Sequence, residues 1–165
     1  MAVADAEGTL SQATAQFVNE DYDEAVETFS LAIELDASLT AAFTGRAAAY
    51  LKLDKHTEAL QDANTAISQD AQCEVAYYRK GLACFELEEY ETALAAFKQG
   101  QTLVTEKNAP KRNYGRWVRK CETEIEDSEE EMEVVDDDEP PAAPAPAAAA
   151  AAETPVETPP APPAP

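Results

Sequence analysis

Glycine is scarce in this chain: five residues in 165, at Gly8, Gly45, Gly81, Gly100 and Gly115. Scattered this way they build neither a phosphate-cradling loop nor a GxSxG nucleophile elbow. His56 is the single histidine, and Cys73, Cys84 and Cys121 are the only cysteines, with no CxxC pair. The usual zinc-ligand spacings therefore cannot be assembled, and no cofactor is expected. His56 has no serine or cysteine partner placed by sequence, so a packing or surface role is expected of it rather than a base. With these motifs missing, the chain is read as non-enzymatic. No run nears the ~18 apolar residues of a membrane span. The opening MAVADAEG has neither a charged segment nor an apolar core of the secretory kind. A reducing compartment, cytoplasmic or nuclear, is the expected setting.

Positive charge is also in short supply. Twelve Lys and Arg face 33 Asp and Glu, for a net charge of −21. The imbalance comes in blocks. Residues 108–121 hold five basic groups (Lys111, Arg112, Arg116, Arg119 and Lys120) and no acid, whereas residues 122–139 hold twelve acids and no base. So acidic a surface repels phosphate backbones and anionic lipid, which makes nucleic acid and membranes poor partners. The basic block beside the acidic one reads most simply as local charge cancellation. Ten of the eleven prolines fall at or after Pro140, in a stretch of Pro and Ala. Such a segment buries too little apolar surface to offset its ordering entropy, so residues 127–165 are expected to be a disordered acidic and Pro/Ala-rich linker.

What the sequence does have is a period. Ala25, Ala59 and Ala93 stand 34 residues apart. Ala13, Ala47 and Gly81 form a second small-residue column in the same register, and Ala32, Ala66 and Gly100 a third. Tyr22, His56 and Tyr90 repeat with it, and Phe29 and Phe97 flank Ala63. Small side chains let two helices of a hairpin approach closely, and large neighbours fill the gaps beside them. This is the tetratricopeptide pattern of helix, turn and helix per unit. The fold expected is all-α, with three tetratricopeptide hairpins over residues 6–39, 40–73 and 74–107 in a right-handed superhelix. Helices are predicted near 9–19, 22–35, 41–53, 56–68, 75–87 and 90–103, with Asp21 and Asp23 placed to cap the second.

After Pro110, Tyr114, Trp117, Val118, Cys121 and Ile125 fall on one helical face. A capping helix over about 111–126 is predicted to cover the open end of the last hairpin, with Trp117 packed on the third repeat. The like charges of Asp127–Glu133 should fray its end. The whole repeat domain then spans 1–126.

In such a superhelix the first helix of each hairpin lines the concave face. The alanine register places Glu7, Leu10, Thr14, Phe17 and Val18 there from the first unit. Ala41, Thr44, Ala48, Leu51 and Lys52 follow from the second, and Val75, Tyr78, Leu82, Phe85 and Glu86 from the third, with Arg79 on the rim. The partner-binding groove is thus Leu10, Thr14, Phe17, Val18, Leu51, Val75, Tyr78, Arg79, Leu82 and Phe85. Leu10, Val75, Tyr78 and Leu82 are its preferred contacts; Phe17, Leu51 and Phe85 read first as core between repeats. Most of these side chains are apolar, and a concave apolar surface marks a binding site. Cys121 and Cys73 raise a redox-linked dimer beside the simpler reading of buried, reduced thiols.

Three stretches carry a closer resemblance: DYDEAVETFSLAIELD (Asp21–Asp36), AYYRKGLACFELEEYETALAAFKQG (Ala76–Gly100) and WVRKCETEIE (Trp117–Glu126). Residues 9–126 resemble the tetratricopeptide domain of the SGT-one type (suppressor of G-two allele) co-chaperones, the N-terminal part of that family's proteins. The acidic, Pro/Ala-rich spacer that follows is similar too. The family continues with a β-sandwich that engages the chaperone and a family-specific C-terminal segment, which are not read in these residues. The resemblance implies a protein-protein adaptor that docks a subunit of a cullin-type ubiquitin ligase, or a second copy of itself, within the chaperone machinery. Two other readings share the repeat fold: a generic heat-shock co-chaperone adaptor, and the repeat module of an enzyme such as a prolyl isomerase or protein phosphatase. Many related co-chaperones hold an acidic chaperone tail in a carboxylate clamp of Lys and Asn on the first helix, Asn on the third, and Lys and Arg on the fifth. The equivalent positions here look like Leu10, Thr14, Gly45, Val75 and Arg79. One charged donor cannot offset the desolvation of several carboxylates, so tight capture of an acidic tail is not expected.

Overall fold

The computed structural model describes residues 5–104 and 112–133. Seven helices follow one another: α1 (Ala6–Val18), α2 (Tyr22–Leu35), α3 (Thr40–Lys52), α4 (His56–Gln69), α5 (Glu74–Glu86), α6 (Tyr90–Thr102) and α7 (Tyr114–Glu133). There is no strand among the described residues. Each helix packs on the next, and α1 on α3 and α3 on α5 also touch. Those skipped contacts put the odd-numbered helices on the inner side of the stack, as the tetratricopeptide pattern requires.

The small-residue columns are the seams. Ala13, Ala47, Ala25, Ala59, Ala93, Ala32 and Ala66 are all fully buried. Glycine is required at two of the closest approaches. A Cβ on Gly45 would stand 2.4 Å from the Phe29 ring, and one on Gly81 2.6 Å from the Phe97 ring. Each phenylalanine fills the space that its glycine leaves open, which is how the interior reaches native density.

The turn inside each hairpin repeats at the same 34-residue spacing. Glu20, Asp54 and Glu88 have φ of 69°, 57° and 62°. At each turn the next residue's amide donates back five positions: Asp21 to Gln16, Lys55 to Tyr50, and Glu89 to Cys84. This is the Schellman closure, held here by residues other than glycine. The reversal carries the chain straight into α2, α4 and α6 without a side-chain cap. Asp21 sits at the N-cap of α2 but makes no such hydrogen bond, which corrects the capping role expected of Asp21 and Asp23. Asp5 does cap α1, its Oδ1 accepting from the Gly8 amide at 2.6 Å.

α7 seals the far end. Trp117 stacks on Phe97 with ring centroids 5.5 Å apart and meets Phe85 edge-on at 5.4 Å. Tyr114 and Cys121 are buried in the same cluster with Cys84 and Phe85. The helix starts at Tyr114, and it runs through Glu133 rather than fraying at Asp127. Glutamate is a good helix former, and the charges of the exposed Glu129 and Glu130 are screened by water. The expected disorder of 127–133 is therefore replaced by helix; the remainder of the expected linker, 134–165, lies outside the described residues, as does the join between α6 and α7.

Candidate functional site

Two adjoining cavities open on the inner side of the odd helices. The first, about 200 Å³, is lined by Leu10, Thr14, Phe17, Phe29, Ala41, Thr44, Gly45, Ala48, Val75 and Arg79. The second, about 400 Å³, is lined by Phe17, Ala48, Leu51, Lys52, Asp54, His56, Tyr78, Arg79, Leu82 and Glu86. Phe17, Ala48 and Arg79 belong to both, so the two form one continuous groove. Most of its residues come from α1, α3 and α5 because the 34-residue period aligns the inner faces of successive hairpins.

Eight of the ten expected groove residues line it: Leu10, Thr14, Phe17, Leu51, Val75, Tyr78, Arg79 and Leu82. Two do not. Val18 is 72% exposed at the last turn of α1 and lies outside both linings. Phe85 is buried against Trp117 and Tyr90, part of the cap core. Phe85 stands at the repeat position of Phe17 and Leu51, which line the groove, but α7 covers it with Trp117. Val18 stands at the position of Lys52 and Glu86, which also line the groove, and is left in solvent on the first hairpin. Phe29, from α2, was not foreseen as a lining residue. It reaches the groove because Gly45 has no side chain to block it, a signal present in the sequence as a lone glycine in a helix.

Arg79 is the electrostatic centre. Its Nε is buried with no hydrogen-bond acceptor, and it has no ion-pair partner among the described residues. Burial lowers its pKa, and the neighbouring Arg112 guanidinium lowers it further. The Tyr78 ring lies beneath both cations, 5.9 Å from Arg79 and 5.4 Å from Arg112. Arg112 is engaged elsewhere, donating to the buried Glu74 carboxylate at 2.7 Å. Tyr114 donates its hydroxyl to the same carboxylate, and burial followed by this bond raises the phenol's pKa. An unpaired, partly desolvated guanidinium in an apolar groove is poised to donate to a carbonyl or carboxylate oxygen of a ligand.

The five positions equivalent to the carboxylate clamp, Leu10, Thr14, Gly45, Val75 and Arg79, all line the first cavity. They converge as the clamp does, but four of the five carry no charge. The remaining polar chemistry is modest. Among the described residues no group of three or more His, Cys, Asp and Glu is placed to hold a metal ion. His56 stands at the edge of the second cavity with its Nδ1 buried and without a partner.

A tetratricopeptide repeat family profile matches residues 75–103. A curated relative, Protein SGT1 homolog of Oryza sativa subsp. japonica, is 36% identical over 134 residues, 81% of this chain. The chain spans 35% of that relative's length. Among solved structures, the Sgt2 tetratricopeptide domain from Aspergillus fumigatus superposes with a TM-score of 0.70 at 26% identity, over 88% of this chain and 91% of that one. The first such domain of Spaghetti (RPAP3), bound to the HSP90 peptide SRMEEVD, superposes with a TM-score of 0.68 at 26% identity, over 73% and 93%. The 34-residue columns, the cap bearing Trp117 and these likenesses agree: the chain carries a tetratricopeptide repeat domain of the SGT type.

Proposed function

We propose that this chain is a non-catalytic adaptor of the co-chaperone kind that docks a subunit of a cullin-type ubiquitin ligase through the groove of α1, α3 and α5, in a cytoplasmic or nuclear setting. The carrying observation is the lining of the first cavity: an apolar pocket from Leu10, Phe17, Ala48 and Val75 with one half-buried guanidinium, Arg79, whose buried Nε has no hydrogen-bond partner and which has no ion pair among the described residues. Such a site suits an apolar anchor side chain and one backbone or side-chain oxygen beside it. It does not suit a run of carboxylates held by converging lysines, although a structural neighbour is bound to the chaperone peptide SRMEEVD. What supports chaperone machinery as a further partner is the likeness to that neighbour, not the lining of this cavity.

The test is calorimetric titration of the chain with a purified ligase adaptor subunit and, separately, with the peptide SRMEEVD. Micromolar binding of the subunit, lost in Leu10→Asp and Val75→Asp, is the expected result. Tight binding of the peptide with no binding of the subunit would overturn the proposal.

A further inference from the structure

A third cavity, about 350 Å³, lies between α5 and α7, lined by Tyr78, Arg112, Asn113, Arg116, Trp117 and Lys120. It concentrates positive charge on a molecule whose net charge is −21. Arg116 and Lys120 have no ion-pair partner among the described residues. The Lys120 ammonium stands 4.2 Å over the Phe85 ring and 5.2 Å over the Trp117 ring. The floor is therefore aromatic and the rim cationic. Tyr78 is shared with the groove, where Arg79 adds another unpaired cation beside it. The cancellation read from the sequence is partial here: Arg112 is paired with Glu74, whereas Arg116 and Lys120, on the first turns of α7, line the cavity without an ion pair among the described residues.

From this we infer that the α5–α7 cavity binds an acidic, extended segment of a partner protein, whose carboxylates pair with Arg116, Lys120 and Arg79 as the segment crosses Tyr78. The inference rests on the adaptor reading and extends the groove by a second, chemically different half: an apolar anchor near Leu10 and Val75, then acidic residues past Tyr78. Charge complementarity selects the occupant. Nucleic acid is disfavoured because the acidic half of α7 and the acidic repeat surface repel a phosphate backbone. The chain's own acidic block is disfavoured by reach. Glu133 lies roughly 26 Å along α7 from Arg116 and about 20 Å from Lys120 at 1.5 Å per residue, and residue 139 is only six residues further, about 21 Å when fully extended, so the block falls short of Arg116 and touches Lys120 only as a taut strand doubled back along the helix. A second copy would bring another −21 against this one, which opposes association at moderate salt.

Trp117 is the single tryptophan, so its fluorescence reports on the cavity directly. The full 165-residue chain would be titrated with a synthetic peptide of one Leu followed by six alternating Asp and Glu, and with its Asn/Gln counterpart. The acidic peptide is expected to change the emission and bind about tenfold more weakly in 200 mM than in 50 mM salt, as screened charge pairs do. Arg116→Glu with Lys120→Glu should weaken it at least tenfold with only a small fall in thermal midpoint, since both side chains are exposed and only the Lys120 contacts with the Phe85 and Trp117 rings are lost. Leu10→Asp separates the two readings: it removes binding of the ligase subunit if the groove proposal holds, yet leaves the carboxylate-dependent part of peptide binding intact. Equal binding of the neutral peptide, or of the acidic peptide to the double variant, would overturn the inference. So would tighter binding of an oligonucleotide of equal charge, or a chain-chain association that the double variant abolishes.

Discussion

The guanidinium of Arg46 grips both carboxylate oxygens of Asp62, Nε to Oδ2 and Nη2 to Oδ1, each at 2.7 Å. The pair joins α3 to α4, and the third nitrogen, Nη1, donates to Ser30 Oγ on α2 at 2.9 Å. One side chain thus ties the first hairpin to the second. The carboxylate holds the Arg46 pKa up against the opposing effect of burial. Asp62 is 5% exposed, so removing it leaves a mostly buried cation without a counter-charge. Asp62→Ala is expected to lose about 3 kcal/mol of stability, as broken buried pairs do. Replacing both partners, Arg46→Met with Asp62→Leu, should cost much less, because no charge is stranded. Urea midpoints of the three proteins check this; equal losses in the single and double variants would show that packing, not charge, holds the seam.

The four helical glycines beyond α1 should differ in rank according to what a methyl group meets. Gly45→Ala and Gly81→Ala drive a Cβ to 2.4 and 2.6 Å from phenylalanine rings, and Gly100→Ala to 3.0 Å from Tyr114. Gly115→Ala meets nothing nearer than Asn113 at 4.0 Å. The first two should lose about 1–3 kcal/mol by overpacking, Gly100→Ala less, and Gly115→Ala should gain up to about 1 kcal/mol of helix propensity. Thermal midpoints in the order Gly115→Ala, parent, Gly100→Ala, then the two core variants are expected.

Much of this was legible beforehand, and the reason is periodicity. The bounds of α2 to α6 agree with those predicted to within one residue, because the alanine columns fix register over three units and leave little freedom to slip. The inner face followed from the same register, which is why Leu10, Val75, Tyr78 and Leu82 meet in one groove. What the pattern could not supply was depth. Phe85 shares the repeat position of Phe17 and Leu51, and only α7, present once, makes it core while they line the groove; Val18 shares that of Lys52 and Glu86 yet stays in solvent. The same holds for the basic block of 108–121. Its charges read as cancelled along the chain, yet the helix sets Arg116 and Lys120 against α5, apart from the acids that follow them.

Glu88 occupies the left-handed region at φ 62° in the turn between α5 and α6. A side chain with a Cβ pays roughly 1 kcal/mol there relative to glycine. Glu88→Gly should therefore raise stability by a few tenths to 1 kcal/mol, the penalty relieved being partly offset by the added freedom of the unfolded chain. An unchanged or lower urea midpoint would show that the Glu88 side chain contributes something the backbone geometry does not reveal.

Stability should fall on the alkaline side. Burial, followed by the Glu89 charge, pushes the Cys84 thiol from 9.0 up to about 11, and burial raises Cys121 and Tyr114 as well. A group that is harder to ionise when folded favours the native state below its unfolded pKa. That advantage drains away as pH climbs from 9 through 11, because the unfolded chain releases its proton first. Denaturant midpoints should hold level up to about pH 9 and then decline, and Cys84→Ala should decline less steeply. Thiol labelling reads the same burial. Cys73, half-buried, should react in the native protein, whereas Cys84 and Cys121 should react only on unfolding. Rapid native labelling of Cys121 would revive a redox-linked dimer through that residue.

The clamp positions allow a gain of function to be tested as well as a loss. Leu10, Thr14, Val75 and Arg79 already line one cavity, so their side chains need only new chemistry, not a new backbone. Leu10→Lys, Thr14→Asn and Val75→Lys together would set two ammonium groups and an amide around the existing Arg79 guanidinium. Converging donors of that kind supply the charge-assisted hydrogen bonds that offset carboxylate desolvation. Gly45 must stay, because any side chain there strikes the Phe29 ring; the rebuilt site therefore lacks one donor of the full set. The triple variant is expected to bind SRMEEVD at least tenfold more tightly than the parent, with binding that weakens as salt rises, and to lose affinity for an apolar-anchored partner. If the variant folds but binds the peptide no more tightly than the parent, the third-helix donor that Gly45 cannot provide is indispensable, and the identity of this groove is set as much by the Phe29–Gly45 contact as by the charges it lacks.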